Sequence, residues 1–311
     1  MSIILVGLSQ RTAPVALRER LSMALRPAAG NGGPSAALPL WQSAALKELA
    51  VLSTCNRFEV YAVPTGAGST PYNQILGALA ALGELSYDEL EPHLYHKRDA
   101  EAVHHLIRVA CGLDSQVLGE TQILGQVAQA FATARAAGTS GSVLTYLFTR
   151  AAHAGKRARS ETDISRGFTS ISHAAVALLE KELGDLAPRS VLVVGAGETA
   201  ELAVQALRKH GATDVCCVNR TFTTAQALAE RLGCRARPWA ELARALAEAD
   251  AVVAATGSPH PVIEVEDVAP VLEGRQGTPL VFVDIAVPRD VDLAVGSLPG
   301  VVLHDIDHLE A

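Results

Sequence analysis

The sequence predicts an α/β protein in which an N-terminal α+β domain precedes a doubly wound, Rossmann-type domain. The chain has 311 residues, more than one ordinary core accommodates, so two domains are expected. Hydrophobic residues make up 49% of the chain and charged residues 19%, as is typical of folded α/β proteins. After residue 189, short apolar runs alternate with helical patterns, which favours a parallel sheet covered by helices.

The N-terminal half mixes strand and helix patterns. Apolar alternation predicts a strand at residues 3–8 and a hairpin at 51–63. A Gly/Pro-rich loop is expected at 26–34. Helical periodicity is found at residues 15–25, 72–82, 100–137 (interrupted at Gly112 and Gly119) and 142–160.

The second half has the pattern of a parallel sheet. Short buried strands are expected at residues 190–194, 215–218, 251–255, 280–285 and 301–303, with helices after the first two, ending at 210 and 232. We place the boundary between residues 166 and 167, so residues 1–166 form the N-terminal catalytic domain and residues 167–311 the nucleotide-binding domain.

Charge and cysteine usage restrict the class of protein. Residues 1–168 hold 15 Lys and Arg against 13 Asp and Glu, whereas residues 169–311 hold 11 against 20. Such a balance excludes a general nucleic-acid binder and leaves room for a basic face only in the N-terminal half. No apolar run approaches a membrane span, and the start resembles a strand rather than a signal peptide. The five cysteines form no CxxC pair and lack metal-ligand spacing, which indicates a reducing cytoplasm and no metal site.

A glycine-rich loop follows the first strand of the second half. Its form is GxGxxA, directly after a strand and opening a helix, as dinucleotide binding requires. The alternative is a tight turn that binds nothing. The candidate cofactor residues here are Gly195, Ala196, Gly197, Glu198, Thr199 and Ala200.

The end of the next strand distinguishes between two cofactors. Enzymes that use NAD usually carry Asp or Glu here for the ribose hydroxyl. This chain has Asn219, Arg220 and Thr221, and Arg220 can pair with the 2′-phosphate of NADP. An ordinary surface arginine is the alternative.

Cys55 lies on a polar turn between two strand patterns. Phe58, Val60 and Tyr61 alternate with Glu59 and Ala62 in the second of these strands. Arg57 places a cation near the sulfur, which would lower the thiol pKa and make Cys55 a candidate nucleophile that is exposed to solvent. The other four cysteines are expected to be structural.

Two further segments carry polar groups that could act in a site. His104 and His105 lie in a helical pattern, and the residues alone do not choose between them. Residues 112–126 are rich in polar side chains, which indicates either solvated turns or a substrate pocket.

Several motifs, in one order, resemble glutamyl-tRNA reductases over nearly the whole chain. They are "STCNRFEVYA", "GLDSQVLGETQILGQV", "RSETDISRG", "VLVVGAGETAELA", "VNRT", "ATGSP" and "DIAVPRDV". The resemblance implies a cysteine nucleophile at Cys55 and an assisting histidine at His105. It implies an NADPH loop at residues 195–200 and substrate contacts at Thr54, Cys55, Asn56, Arg57, Ser115, Glu120, Thr121, Gln122 and Gln126.

The activity implied by the resemblance is NADPH-dependent reduction of glutamyl-tRNA to glutamate-1-semialdehyde, an early step towards tetrapyrroles. The Cys55 thiolate would take the glutamyl group from the tRNA as a thioester. Two alternatives are a shikimate-type NADP-dependent dehydrogenase and a shortened, non-catalytic paralogue that binds NADPH or tRNA.

The chain departs from the family pattern in three places. Gln10 and Arg11 replace a His-Lys pair, residues 26–40 replace a longer helix, and the usual C-terminal dimerisation domain is absent. A monomer or weak dimer is therefore expected. The aminotransferase that consumes the aldehyde is a further expected partner.

Overall fold

The computed structural model describes residues 2–24, 41, 46–66, 70–164, 170–275 and 277–309. The chain divides into two compact units, Met1–Thr169 and Ser170–Ala311. The Gly/Pro-rich loop at 26–34 and the expected boundary at 166/167 lie outside the described residues, so both stay predictions.

The N-terminal unit is built on a four-stranded antiparallel sheet of order β2-β3-β1-β4. Its strands are β1 (Ile4–Ser9), β2 (Leu46–Ser53), β3 (Arg57–Pro64) and β4 (Tyr95–Arg98). In β3 every residue but the last is buried, because this inner strand is covered on both faces. Glu59 is therefore as buried as the apolar residues around it.

Helices cover both faces of this sheet and form two cores. They are α1 (Val15–Ala24), α2 (Thr70–Leu82), α3 (Tyr87–Leu90), α4 (Asp99–Ala110), α5 (Gln122–Ala136) and α6 (Ser142–Glu161). One core contains Leu21 and Ile75, from α1 and α2, and the other contains Leu106, Val127 and Phe148, from α4, α5 and α6. The candidate nucleophile Cys55 lies at one end of this sheet, where β2 turns into β3.

The C-terminal unit is a parallel six-stranded sheet of order β10-β9-β8-β5-β6-β7. Its strands are β5 (Ser190–Val194), β6 (Asp214–Asn219), β7 (Arg235–Pro238), β8 (Ala251–Ala254), β9 (Leu280–Asp284) and β10 (Val301–Asp305). Its helices are α7 (Ile171–Leu183), α8 (Glu198–Lys209), α9 (Phe222–Leu232), α10 (Leu242–Glu248) and α11 (Val265–Leu272). The strand order reverses beside β5, where nucleotide ligands bind in such sheets. The predicted α/β fold class is confirmed.

Two edge strands were not predicted, for a physical reason. β4 has the sequence YHKR and alternates between half-buried and exposed residues, and β7 has the sequence RARP. Both are short and polar, so neither has the apolar run that identifies the inner strands. Within the part of the chain that the structure describes, every helix is too short or too polar to span a bilayer.

Candidate active site

Cys55 lies in a four-residue turn, residues 54–57, that its neighbours hold closely. Ser53 and Phe58 are the last paired residues of the hairpin. The hydroxyl oxygen of Thr54 accepts hydrogen bonds from the N–H groups of Asn56 (3.1 Å) and Arg57 (3.2 Å). This side-chain turn fixes the backbone around the sulfur.

The structure corrects the expected environment of Cys55, which is half-buried rather than exposed. Burial raises the pKa of its thiol to about 12; the charge of Glu120 acts in the same direction, whereas Arg18 and Arg57 lower the pKa. Arg18, from α1, is 0% exposed and donates a hydrogen bond to the Cys55 carbonyl. Cys55 is therefore a protonated thiol at neutral pH in the free protein.

Arg57 does not act as a free cation because Glu59 neutralises it. The Arg57 Nη1 atom is 2.9 Å from Glu59 Oε1, and both side chains are buried. The same carboxylate accepts hydrogen bonds from Tyr61 (2.7 Å), Tyr95 (2.6 Å) and His105 (2.8 Å). Burial alone would favour the neutral acid, but Arg57 and these donors hold the pKa of Glu59 well below its usual range.

The structure separates the two neighbouring histidines. His105 is half-buried, with Nε2 on Glu59 and Nδ1 3.8 Å from an oxygen of Asp114, whereas His104 is exposed. Arg108 binds Asp114 through two hydrogen bonds, of 2.9 and 3.1 Å. The Asp114 carbonyl accepts from Arg57 at 2.6 Å, which ties the cysteine turn to the loop after α4.

That loop, residues 111–121, brings the next set of candidates to the turn. Gly112 (φ 77°) and Gly119 (φ 79°) both have left-handed backbone, which only glycine adopts without strain. The Arg159 side chain donates to the carbonyls of Ala110 and Glu120, 2.8 Å in each case. Arg159 is thus a structural part of the loop and not of a free basic helix face.

A buried polar atom of the turn lacks a partner. The amide oxygen of Asn56 has no hydrogen bond among the described residues, whereas the Ser115 hydroxyl interacts with the Glu120 carboxylate. Such an unpaired atom is costly unless a ligand completes it. Glu120 is itself buried, and burial raises its pKa.

The remaining predicted contacts lie where α5 begins. Thr121 is exposed, and Gln122 and Gln126 are half-buried one helical turn apart. No hydrogen bond described in the structure joins these three side chains to the Glu59 cluster.

A cavity of about 490 Å³ opens beside His105. Most of its lining is polar or charged: Ser9, Arg11, Thr12, Arg57, Tyr95, Lys97, Glu101, His104, His105, Arg108 and Asp114. Arg11, one of the two residues that depart from the family pattern, lies 3.8 Å from Asp114. The other, Gln10, donates its N–H to the Asn56 carbonyl at 2.9 Å.

The glycine loop of the C-terminal unit has the geometry of a dinucleotide cradle. Gly195 has φ 120°, and a Cβ there would lie 2.5 Å from the Ala255 carbonyl oxygen. Gly197 precedes α8, and a Cβ there would meet nothing within 4 Å. Open space and free N–H groups at a helix start fit a pyrophosphate, so the residues present fit a nicotinamide dinucleotide. Ala196 and Thr199 are half-buried, Glu198 is exposed and Ala200 is buried.

The end of β6 presents the residues expected to select the cofactor. Arg220 and Thr221 are exposed and Asn219 is half-buried. The Arg220 guanidinium lies 5.8 Å from the centre of the Trp239 ring. Asp290, which is near enough for the charge of Arg220 to act on it, accepts hydrogen bonds from the N–H and hydroxyl of Thr256.

Comparisons with known proteins agree across the chain. The sequence-family model of the glutamyl-tRNA reductase N-terminal domain matches residues 6–162. The family model of shikimate/quinate 5-dehydrogenase matches residues 177–311. The glutamyl-tRNA reductase of Bacillus subtilis is 43% identical over 310 residues, 100% of this chain and 67% of that protein. That of Desulforudis audaxviator is 44% identical over 318 residues, covering 100% of this chain and 68% of that protein.

The chain belongs to the glutamyl-tRNA reductase family. A solved glutamyl-tRNA reductase from Methanopyrus kandleri is 40% identical, covering 99% of this chain and 72% of that chain with a TM-score of 0.46. The predicted family is confirmed, and a reductase is favoured over the dehydrogenase and the non-catalytic paralogue. The dehydrogenase model over residues 177–311 supports a nicotinamide cofactor.

Four residues of this reductase-family site were missed by the sequence analysis: Arg18, Glu59, Tyr95 and Asp114. Glu59 could have been noticed, since it is a charge within an otherwise apolar strand pattern, where charged residues are rarely buried without a partner. Arg18 begins the charged run Arg18-Glu19-Arg20 and gives no such signal. Tyr95 and Asp114 carry no such local signal, because only the fold brings them to Glu59 and His105.

Proposed function

We propose that this chain reduces glutamyl-tRNA to glutamate-1-semialdehyde with NADPH, through a thioester on Cys55. The observation that carries this proposal is the cysteine turn itself. It is held by Arg18 on one side, and Arg57 ties it to the loop that carries Ser115 and Glu120. The buried amide oxygen of Asn56, which has no hydrogen bond among the described residues, lies in this turn for a polar substrate to complete.

Forming the thioester requires the Cys55 proton to leave. A pKa of about 12 leaves little thiolate at neutral pH, so a base must act as the substrate binds. Glu120 is close enough for its charge to affect Cys55, and its own raised pKa suits proton transfer. We assign Glu120 to accept this proton in addition to contacting substrate.

The first step then balances as an acyl transfer. The Cys55 sulfur attacks the ester carbonyl carbon, and the bond from that carbon to the terminal ribose oxygen breaks. The ribose oxygen takes the proton held by Glu120, giving free tRNA and a glutamyl thioester. A thioester is the better hydride acceptor, because sulfur donates less into the carbonyl than oxygen does.

His105 is suited to the second step. Its bond to Glu59 fixes the ring, and the ring forms part of the cavity wall. From there it can exchange a proton with the carbonyl oxygen as the aldehyde forms. When bound, NADPH supplies the hydride for this reduction.

The cavity is suited to the acceptor end of the tRNA. Arg11, Lys97 and Arg108 outnumber Glu101 and Asp114 on its wall and leave a small positive excess, whereas the chain as a whole has a net charge of −7. Nucleic-acid phosphates bind such local positive charge. Gln122 and Gln126 remain proposed contacts to the glutamyl group, and Thr121 with them.

NADPH would be held by residues 195–200 and 219–221. The space beside Gly197 admits the pyrophosphate, and Arg220 supplies the cation for the 2′-phosphate. The product is a reactive aldehyde, so an aminotransferase that consumes it is a proposed partner.

The test supplies purified protein with glutamyl-tRNA and NADPH and assays the semialdehyde by trapping its aldehyde group. Without NADPH, the protein should release deacylated tRNA and leave glutamate on Cys55, located by acid quench and peptide mass spectrometry. An adduct on another residue, or reduction of a small free acid without tRNA, would contradict the proposal.

A further inference from the structure

Two cysteines of the C-terminal unit lie side by side, away from the proposed reaction. Cys217 is in β6 and Cys234 follows α9, and their sulfurs are 3.6 Å apart. Cys217 is buried and Cys234 is half-buried, so solvent reaches one member of the pair. A disulfide bond measures about 2.05 Å, so side-chain rotation and a small shift would bring the sulfurs together.

The surroundings of the pair make one sulfur lose its proton more readily than the other. The hydrogen bond between the two sulfurs holds the pKa of Cys234 below its ordinary value and raises that of Cys217. Arg208 donates to the carbonyls of Gly233, Ala212 and Thr213, so its cation lies beside the residue that precedes Cys234. The Cys234 N–H is itself fixed on the Ala229 carbonyl at 3.0 Å.

We propose that Cys217 and Cys234 form a redox-active dithiol, with Cys234 the attacking thiol, Cys217 the resolving thiol and a hydroperoxide the oxidant. The half-buried sulfur meets the oxidant, and the buried sulfur lies at contact distance behind it. This arrangement of an accessible, cation-flanked thiolate next to a second thiol is that of redox-sensitive cysteine pairs.

The reaction balances without any other reagent. The Cys234 thiolate attacks one peroxide oxygen, the O–O bond breaks, and a sulfenic acid forms while the departing oxygen takes a proton. The Cys217 sulfur then attacks the Cys234 sulfur, the S–O bond breaks, and the oxygen leaves as water with the Cys217 proton. With hydrogen peroxide the products are a disulfide and two waters, the sulfurs being oxidised and the peroxide reduced.

The chain supplies a matched control. Cys216 is adjacent to Cys217 in β6 but points to the opposite face, into the core that contains Leu192 and Val218. It is buried like Cys217, and although Cys234 is near enough for its charge to act on it, no hydrogen bond described in the structure joins those two sulfurs. Oxidation that reflected burial or strand position alone would not distinguish the two.

The test oxidises the reduced full chain in the Cys55→Ser background with one equivalent of hydrogen peroxide near pH 7.5. Free thiols are then alkylated and the protein is mapped by peptide mass spectrometry. We expect a Cys217–Cys234 linked peptide that a dithiol reductant reverses. Cys234 should react at least about tenfold faster than buried Cys111, as its thiolate character predicts.

Three variants separate this reaction from general oxidation. Cys234→Ser should leave Cys217 reduced, and Cys217→Ala should halt oxidation at a Cys234 sulfenic acid that dimedone traps. Cys216→Ser should leave the linked peptide unchanged. A link through Cys216, equal rates for Cys234 and Cys111, or no link at all would overturn the proposal, and none of these outcomes depends on reductase activity.

Discussion

The two candidate sites of this chain are built from different materials. Around Cys55, the N-terminal unit buries four charged side chains: Arg18, Arg57, Glu59 and Glu120. At the glycine loop, the C-terminal unit relies on backbone, with Gly195 in a left-handed conformation and open space at Gly197. The first site depends on contacts between side chains, and the second depends on the conformation of the backbone.

The difference determines how each site should fail. Removing one partner of a buried ion pair leaves an uncompensated charge and costs about 3–5 kcal/mol, so the Cys55 region should lose stability and activity together. A backbone cradle loses binding wherever an added Cβ occupies ligand space, while the fold persists if that space is otherwise empty. The comparison can therefore be tested by separating stability from function at each site.

The largest effect is expected at the sulfur. Cys55→Ser should lower reductase activity by at least about 10³-fold, because a serine hydroxyl is far less acidic than a thiol. Its backbone contacts, including the Arg18 bond to the carbonyl, do not involve the sulfur, so the midpoint of chemical denaturation should scarcely change. Steady-state rates and urea unfolding measure the two quantities, and full activity in this variant would remove Cys55 from the mechanism.

Glu59→Gln should damage both stability and catalysis. It leaves buried Arg57 without its carboxylate and weakens the hold on His105, at a cost of about 3–5 kcal/mol in the free energy of unfolding. Because the folded-state pKa of Glu59 lies below its unfolded value, its stabilisation is present above about pH 4.3 and declines as the pH falls further.

The Glu59 variant should consequently lose less stability than the parent protein when the pH is lowered from about 5 towards 3. Urea unfolding at several pH values measures this slope. Glu161→Gln is the control, since its exposed pair with Arg157 should matter little. Equal stability of Glu59→Gln and the parent at pH 7 would show that the buried pair is not a structural requirement.

How far the sequence could predict these features depends on whether the signal is local. The inner strands of the parallel sheet are apolar runs, so the predicted bounds lie within about two residues of those observed. The glycine loop and Cys55 were also identified from local motifs. The link from His105 to Glu59 spans 46 positions and could not be inferred. The expected net lowering of the Cys55 pKa was wrong because burial and the charge of Glu120 outweigh the lowering by Arg18 and Arg57.

Gly197→Ala tests the backbone site without disturbing the fold. A methyl group there meets no protein atom within 4 Å, but it would occupy the space proposed for the pyrophosphate. We expect NADPH affinity to fall about 10- to 100-fold, by the loss of roughly 1.4–2.8 kcal/mol, with unchanged thermal unfolding. Gly274→Ala, in similarly open space of the same unit, is the control. If fluorescence titration shows that Gly197→Ala binds NADPH as tightly as the parent protein, the glycine loop does not bind the pyrophosphate.

Arg220→Ala should alter the choice of cofactor. A charged phosphate hydrogen bond is worth roughly 1.5–3 kcal/mol, so the variant should lose ~10–150-fold in NADPH affinity and little in NADH affinity. Arg231→Ala removes another exposed arginine of the same unit and should preserve the preference. Equal affinity of the unaltered chain for both cofactors would contradict the assignment of Arg220.

The smallest effect concerns tRNA and the exposed face of α6. Arg159 holds the loop before α5 and Arg157 pairs with Glu161 at 2.8 Å, so neither is a free cation of this face. Arg150 and Lys156 are exposed and are the better probes.

Changing both to Glu should weaken glutamyl-tRNA binding about three- to tenfold. It should also make the slope of log affinity against log salt concentration shallower, because binding with fewer phosphate contacts releases fewer counterions. Arg244→Glu in the acidic C-terminal unit should alter neither, and filter binding at several salt concentrations decides between them. If the double variant binds tRNA as tightly as Arg244→Glu does, tRNA contacts the cavity wall at Arg11, Lys97 and Arg108 without using α6.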